Sequence, residues 1–199
     1  MKALKVIGIA ISLVIIILAI VVAFLSPKSH MERSILVNSE PEAIFKYLDN
    51  FKAYNQWSPW SEIDPATIYQ FDGPESGPGA RMSWSSKDEQ VGEGEQWIIE
   101  MRENEYVKYG MKFGGFEGDF SAEIILEPTI NETKVTWTYN GDVSKAGMFN
   151  AAMGKFFGMF MDSMLGPFYE KGLYSLKEQV ENTPPAVLLE SADTISVAQ

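Results

Sequence analysis

Few residues in this chain could do chemistry, and the best placed are two carboxylates in the stretch VGEGEQWII at 91–99. Glu93 and Glu95 alternate with Gly94, so in a strand both side chains leave the same face together with Trp97. Two carboxylates on one face suit general acid–base work or a divalent cation. Facing solvent, the same pair is a charged sheet surface, and Gly92 and Gly94 mark a bend or bulge there. Arg81 and Arg102 offer a second chemistry. An arginine turned into a cavity holds a carboxylate or phosphate by a bidentate contact, whereas one on a sheet surface pairs with a neighbouring acid. Tyr69, Tyr106, Tyr109 and Tyr139 carry hydroxyls that could meet a ligand carbonyl, but their spacing singles none out. The chain has no cysteine, which excludes thiol nucleophiles and Cys-ligated metals, and its one histidine, His30, falls in the expected linker, so a Ser-His-Asp triad is not expected. No catalytic residue, metal ligand or cofactor is assigned. Arg81, Glu93 and Glu95 stand as the polar site candidates.

The apolar candidates are more numerous. Between Met148 and Met164, five of the ten methionines are interleaved with Phe149, Phe156, Phe157 and Phe160. Unbranched thioethers repack around ligands of varied shape, so Met153, Phe156, Phe157, Phe160 and Met164 are candidates for a deformable cavity wall. A buried core helix uses the same residues, and a membrane-facing surface is a third reading. Trp57 and Trp60 flank Pro59, whose ring restricts the backbone, so the indoles would be held in place, either at a cavity entrance or folded onto the core. Trp84, Trp97, Tyr109 and Phe113 complete the ligand-binding candidates.

These side chains need elements to position them. Residues 6–25, VIGIAISLVIIILAIVVAFL, carry no charge. About 20 helical residues rising about 1.5 Å each cover the roughly 30 Å hydrocarbon core, which points to a transmembrane helix. A cleavable signal peptide usually has a shorter apolar core and a small-x-small site, which is not evident before Ser26-Pro27. An uncleaved anchor is therefore expected. Lys2 and Lys5 beside the short tail favour an N-terminus inside, with the globular domain outside the cytoplasm. The expected organisation is a tail at 1–5, the anchor at 6–25, a linker at 26–30, one domain at 31–182 and a mobile tail at 183–199.

Charge narrows the partners. There are 16 basic residues against 27 acidic ones, a net charge of −11, and two of the lysines precede the anchor. Such a surface repels phosphate backbones, so nucleic acid is set aside.

Within the domain, Glu32 to Val37 reads as a strand, and Ser39-Glu40-Pro41-Glu42 as a capping box that opens a short helix. The aromatic stretch FKAYNQWSPWSEIDP is expected to be irregular because of Pro59 and Pro65. Strand-like pieces then follow at 67–71, 80–85, 91–102, 106–113, 120–127 and 134–140, with connections short enough for consecutive antiparallel pairing. From about Met148 to Glu181 the pattern turns helical, with an interruption expected at Gly166-Pro167. An antiparallel sheet of this length curls, and a long helix laid across its concave face encloses a space suited to an apolar ligand.

Several strings in this order resemble the SRPBCC superfamily, the START/Bet v 1-like proteins, and within it the polyketide cyclase/dehydrase-like branch. They are WSPWSEIDP at 57–65, GPESGPGARMSW at 73–84, VGEGEQWII at 91–99, TKVTWTYNG at 133–141 and MLGPFYEKGLYSLK at 164–177. Glu132 and Ser86-Lys87 depart from the pattern. The resemblance implies an α+β helix-grip fold, an antiparallel sheet wrapped around a long C-terminal helix, here preceded by one transmembrane helix. It also implies a habit of binding hydrophobic or amphipathic small molecules between sheet and helix, without implying a reaction. The function expected is membrane-anchored binding of a lipid-like or polyketide-like molecule. The alternatives are a cyclase/dehydrase- or hydrolase-type enzyme in the same cavity, or a protein-interaction module.

Overall fold

The computed structural model describes residues 2–183. Helix α1 spans Lys2–Phe24, and strand β1, Lys28–Val37, follows directly. Three short helices come next, α2 (Pro41–Phe45), α3 (Phe51–Trp57) and α4 (Pro59–Ile63). Six strands run in sequence: β2 (Ile68–Asp72), β3 (Arg81–Ser85), β4 (Glu93–Arg102), β5 (Tyr106–Phe113), β6 (Asp119–Pro128) and β7 (Thr133–Asp142). Helices α5 (Met148–Gly158) and α6 (Met161–Glu181) close the chain. The tail expected to be mobile lies, from residue 184 on, outside the described residues.

All strands pair antiparallel in one seven-stranded sheet of order β1-β7-β6-β5-β4-β3-β2. Hairpins join the strands from β2 to β7, and β1 closes on β7 with Met31 opposite Tyr139 and Val37 opposite Thr133. Alternation then decides which side chains point inward. Val135, Trp137 and Tyr139 of β7 share the inner face with Ala122, Ile124 and Leu126 of β6 and with Val107, Tyr109 and Met111 of β5. Helix α6 lays Tyr169, Leu173, Leu176 and Val180 on that face, at the i, i+4, i+7, i+11 spacing of a helical stripe. This is the α+β helix-grip architecture.

Several local expectations are corrected. Lys28, Ser29 and His30 belong to β1 rather than to a linker, because they pair with Asp142, Gly141 and Asn140. Glu40, not Ser39, precedes α2, and Pro41 starts the helix without a side-chain cap; its fixed φ is already helical, and it has no N–H to satisfy. The aromatic stretch is two helices, not a loop: Asn50 caps α3 by accepting from the Ala53 N–H at 2.8 Å, and Pro59 opens α4. The irregularity in β4 falls between Ile98 and Glu100, not at Gly92-Gly94. The C-terminal helix breaks at Met159-Phe160, where the Met159 and Phe160 N–H groups bond three residues back, and α6 runs on through Pro167.

Candidate functional site

The sheet–helix space has two unlike ends. One end is closed by aromatic rings. Trp137 of β7 stacks on Tyr169 of α6 with ring centroids 3.9 Å apart, and Trp57 meets Trp137 edge-on at 5.2 Å. Gly172 makes this possible: a Cβ there would stand 2.8 Å from the Trp137 ring and 3.0 Å from Pro59, so only glycine lets α6 approach so closely. The polar atoms brought inside are satisfied. The Trp57 indole donates to the Tyr47 carbonyl at 2.9 Å, and the Tyr109 hydroxyl donates to the Leu48 carbonyl at 2.7 Å. Burial holds the Tyr54, Tyr109 and Tyr169 phenols well above their ordinary range, and pushes Tyr139 up to about 12.

The other end is open. Trp84 of β3, Phe113 of β5 and Phe120 of β6 touch edge-on across the inner face, at 6.2 and 5.5 Å between centroids, and each is only half-buried. Gly94 leaves the room for the Trp84 ring, which lies where a Cβ would stand. Tyr69 of β2 stands opposite Trp84 and is half-buried in the same way. Ser61 and the Tyr69 hydroxyl, 3.3 Å apart, tie α4 to β2.

Arg33 fixes the start of α6 on the sheet. It projects inward from β1 and bonds Asp162 at 2.8 Å and Glu170 at 2.7 Å, spanning Gly166, where a Cβ would collide with the guanidinium. The start of α6 is therefore clasped to the β1 edge of the sheet. The guanidinium holds the Asp162 carboxyl below its usual range.

Of the residues singled out from the sequence, Trp84 and Phe113 meet at the open end, whereas Trp60 packs edge-on against Trp137 and Tyr169 at the closed end. Trp57 and Tyr109 are fully buried core residues, a correction that follows from their filled hydrogen bonds and the rings around them. Trp97 is corrected too. It sits on the outer face over Gly110, whose missing side chain makes its bed, with Arg81 and Lys112 above the ring at 5.2 and 5.7 Å. Glu93 and Glu95 share that outer face, and Arg81 is ion-paired with Glu95. A shallow cavity of about 310 Å³ opens at these strand ends, lined in part by Trp84, Glu93, Glu95, Lys112 and Phe113. Met153, Phe156, Phe160 and Met164 do not wall an enclosed cavity: they are exposed, and α5 has no buried residue. The sequence reading missed Phe120. Period-two alternation along β6 with Ala122, Ile124 and Leu126 was the available signal for it.

Residues 28–181 match a family model described as polyketide cyclase / dehydrase and lipid transport. The chain belongs to this family. Solved structures of the same fold support the assignment of architecture within the polyketide cyclase / dehydrase and lipid transport family. A protein from Thermobifida fusca superposes with a TM-score of 0.55 at 18% identity, covering 76% of this chain and 92% of its own. A protein from Chromobacterium violaceum gives 0.52 at 15%, covering 78% and 99%. Ara h 8.0201 gives 0.51 at 13%, with the same coverage. At these identities the likeness shows fold alone. No curated protein matches the chain.

Proposed function

We propose that the domain binds one apolar or amphipathic small molecule at the open end of its sheet, while α1 holds it at a membrane. The observation that carries the reading is the half-buried set Trp84, Phe113 and Phe120, whose rings touch in a row on the inner face of the sheet. Large rings left half-exposed on a concave face are what a ligand completes. Family membership supports a hydrophobic ligand class. The tether is supported by the Lys5–Phe24 stretch, which is long and apolar enough to cross a membrane. With the lysine-flanked N-terminus inside, the domain would stand outside the cytoplasm and meet lipid-soluble molecules at raised local concentration.

The test uses residues 27–199, the part that contains the whole family match. Native mass spectrometry followed by solvent extraction reads any retained molecule. Tryptophan fluorescence, with Trp84→Phe to isolate the rim indole, follows uptake from a panel of fatty acids and isoprenoids. Retention or saturable quenching that Phe113→Ser with Phe120→Ser abolishes is the expected result. A bare mass together with no response across the panel overturns the reading and shifts weight to a partner-binding domain.

A further inference from the structure

We propose that α5 is a second membrane contact, with its Phe- and Met-rich stripe lying in the headgroup boundary of the bilayer that α1 crosses. The first ground is charge. In a chain with 27 acidic residues, the two longest stretches without any are 1–31, which contains α1, and 143–161, which contains α5. The second is exposure. Phe149, Met153 and Phe156 follow the i, i+4, i+7 spacing of one stripe of α5 and, with Phe160 just past its end, are all exposed, Phe149 at 75% and neighbouring Met148 at 92%. No residue of α5 is buried, so the stripe is not core awaiting a better description. The third is position. α5 packs beside the C-terminal end of α1, with the Lys155 ammonium 3.4 Å from the Val22 carbonyl, and Gly158 lies against Ser29 just after the anchor ends.

If α1 spans, α5 is therefore held at the level where a spanning helix emerges from lipid. An apolar helix face at that level enters the boundary by about 5–10 Å. Its one charge, Lys155, turns its ammonium to the Val22 carbonyl of α1. Because the rest of the domain is strongly acidic, the attraction is apolar rather than electrostatic, so zwitterionic lipid suffices and salt has little effect. The inference rests on α1 being in the membrane but not on ligand binding, and a domain that takes up nothing would leave it standing.

The chain has no cysteine, so single cysteines label uniquely. The full chain is reconstituted in phosphatidylcholine vesicles with an environment-sensitive fluorophore at Phe149→Cys, Phe156→Cys, Ile15→Cys or Ile130→Cys, and quenched by doxyl-labelled lipid. Ile15 reports insertion of α1, and Ile130, fully exposed in the β6–β7 turn, is the aqueous reference. Quenching at Phe149 and Phe156 several-fold above that at Ile130, with a blue-shifted emission, unchanged by added salt and by dilution into more lipid, is expected. Quenching equal to that at Ile130 overturns the proposal. So does an unquenched Ile15, which would remove the bilayer from α5, and so does a signal that vanishes on dilution, which would assign the stripe to a second copy of the chain.

Discussion

The two ends of the sheet–helix space use the same kinds of side chain for opposite purposes. At the closed end Trp57, Tyr109, Trp137 and Tyr169 are core, because Gly172 brings α6 into contact with the Trp137 ring. At the open end Trp84, Phe113 and Phe120 are only partly buried. An aromatic residue on an inner face is thus sealed or left partly open according to how near the opposite helix can come. At the closed end one glycine, Gly172, sets that distance.

The largest expected effect breaks the closed end. Trp137→Ala should cost about 3–5 kcal/mol, the usual loss for a large buried ring, read by urea unfolding. Gly172→Val comes next, because its side chain meets the Trp137 ring and Pro59; overpacking of this kind costs about 1–3 kcal/mol. Phe113→Ala should cost no more than about 1.5 kcal/mol, since only part of its surface leaves water on folding. Equal costs at Trp137 and Phe113 would mean that the open end is core, and the comparison would fail.

Period-two alternation and short connections made the meander legible, since each strand carries its own pattern; most strand ends were placed within about two residues. What sequence could not show was distance between elements. Trp57, Tyr109 and Phe113 are all large and aromatic, and nothing local says that two are sealed while the third is half open. Trp97 was misplaced for a related reason: alternation put it beside Glu93 and Glu95, but which face was inner depended on pairing with Gly110 across β5. The Met-rich segment read as wall or core ahead of lipid-facing surface, and what removes core is the exposure of α5. Arg33 was overlooked because its partners, Asp162 and Glu170, are more than a hundred residues away.

Acid should loosen the two ends differently. Arg33 depresses the Asp162 carboxyl, and the Gly147 N–H depresses Glu117. A carboxyl lowered in the folded state contributes stability that is complete above its unfolded value, about 3.9 for Asp and 4.3 for Glu, and is lost as pH falls through the folded value. Both groups are solvent-facing, so the effect is modest and salt-dependent. Below about pH 4 the clasp at the start of α6 should loosen before the aromatic end does. Hydrogen exchange should show amides near Met164 losing protection while those near Leu173 keep theirs. Simultaneous loss would show that α6 responds as one unit. At the alkaline limit the sign reverses: Tyr139, raised to about 12, supports the fold fully below about 10 and loses that support as pH rises through its folded value.

The smallest effects are expected on the outer face. Glu93→Gln and Glu95→Gln should each change stability by less than about 1 kcal/mol, the range for exposed ion pairs. They should also leave ligand-induced quenching of Trp84 unaltered, although the shallow cavity of about 310 Å³ touches both carboxylates and that indole. That shared lining is what gives the null result its value. The inner and outer faces meet at the ends of β3 to β5, where Gly94 has no side chain to separate Trp84 from the glutamates' edge. A ligand confined to the inner face does not sense their charge, whereas one that reaches over the strand ends does. A several-fold change in affinity on removing either charge would extend the site past the rim and bring two carboxylates into contact with ligand. Acid–base chemistry would then need testing on the same surface.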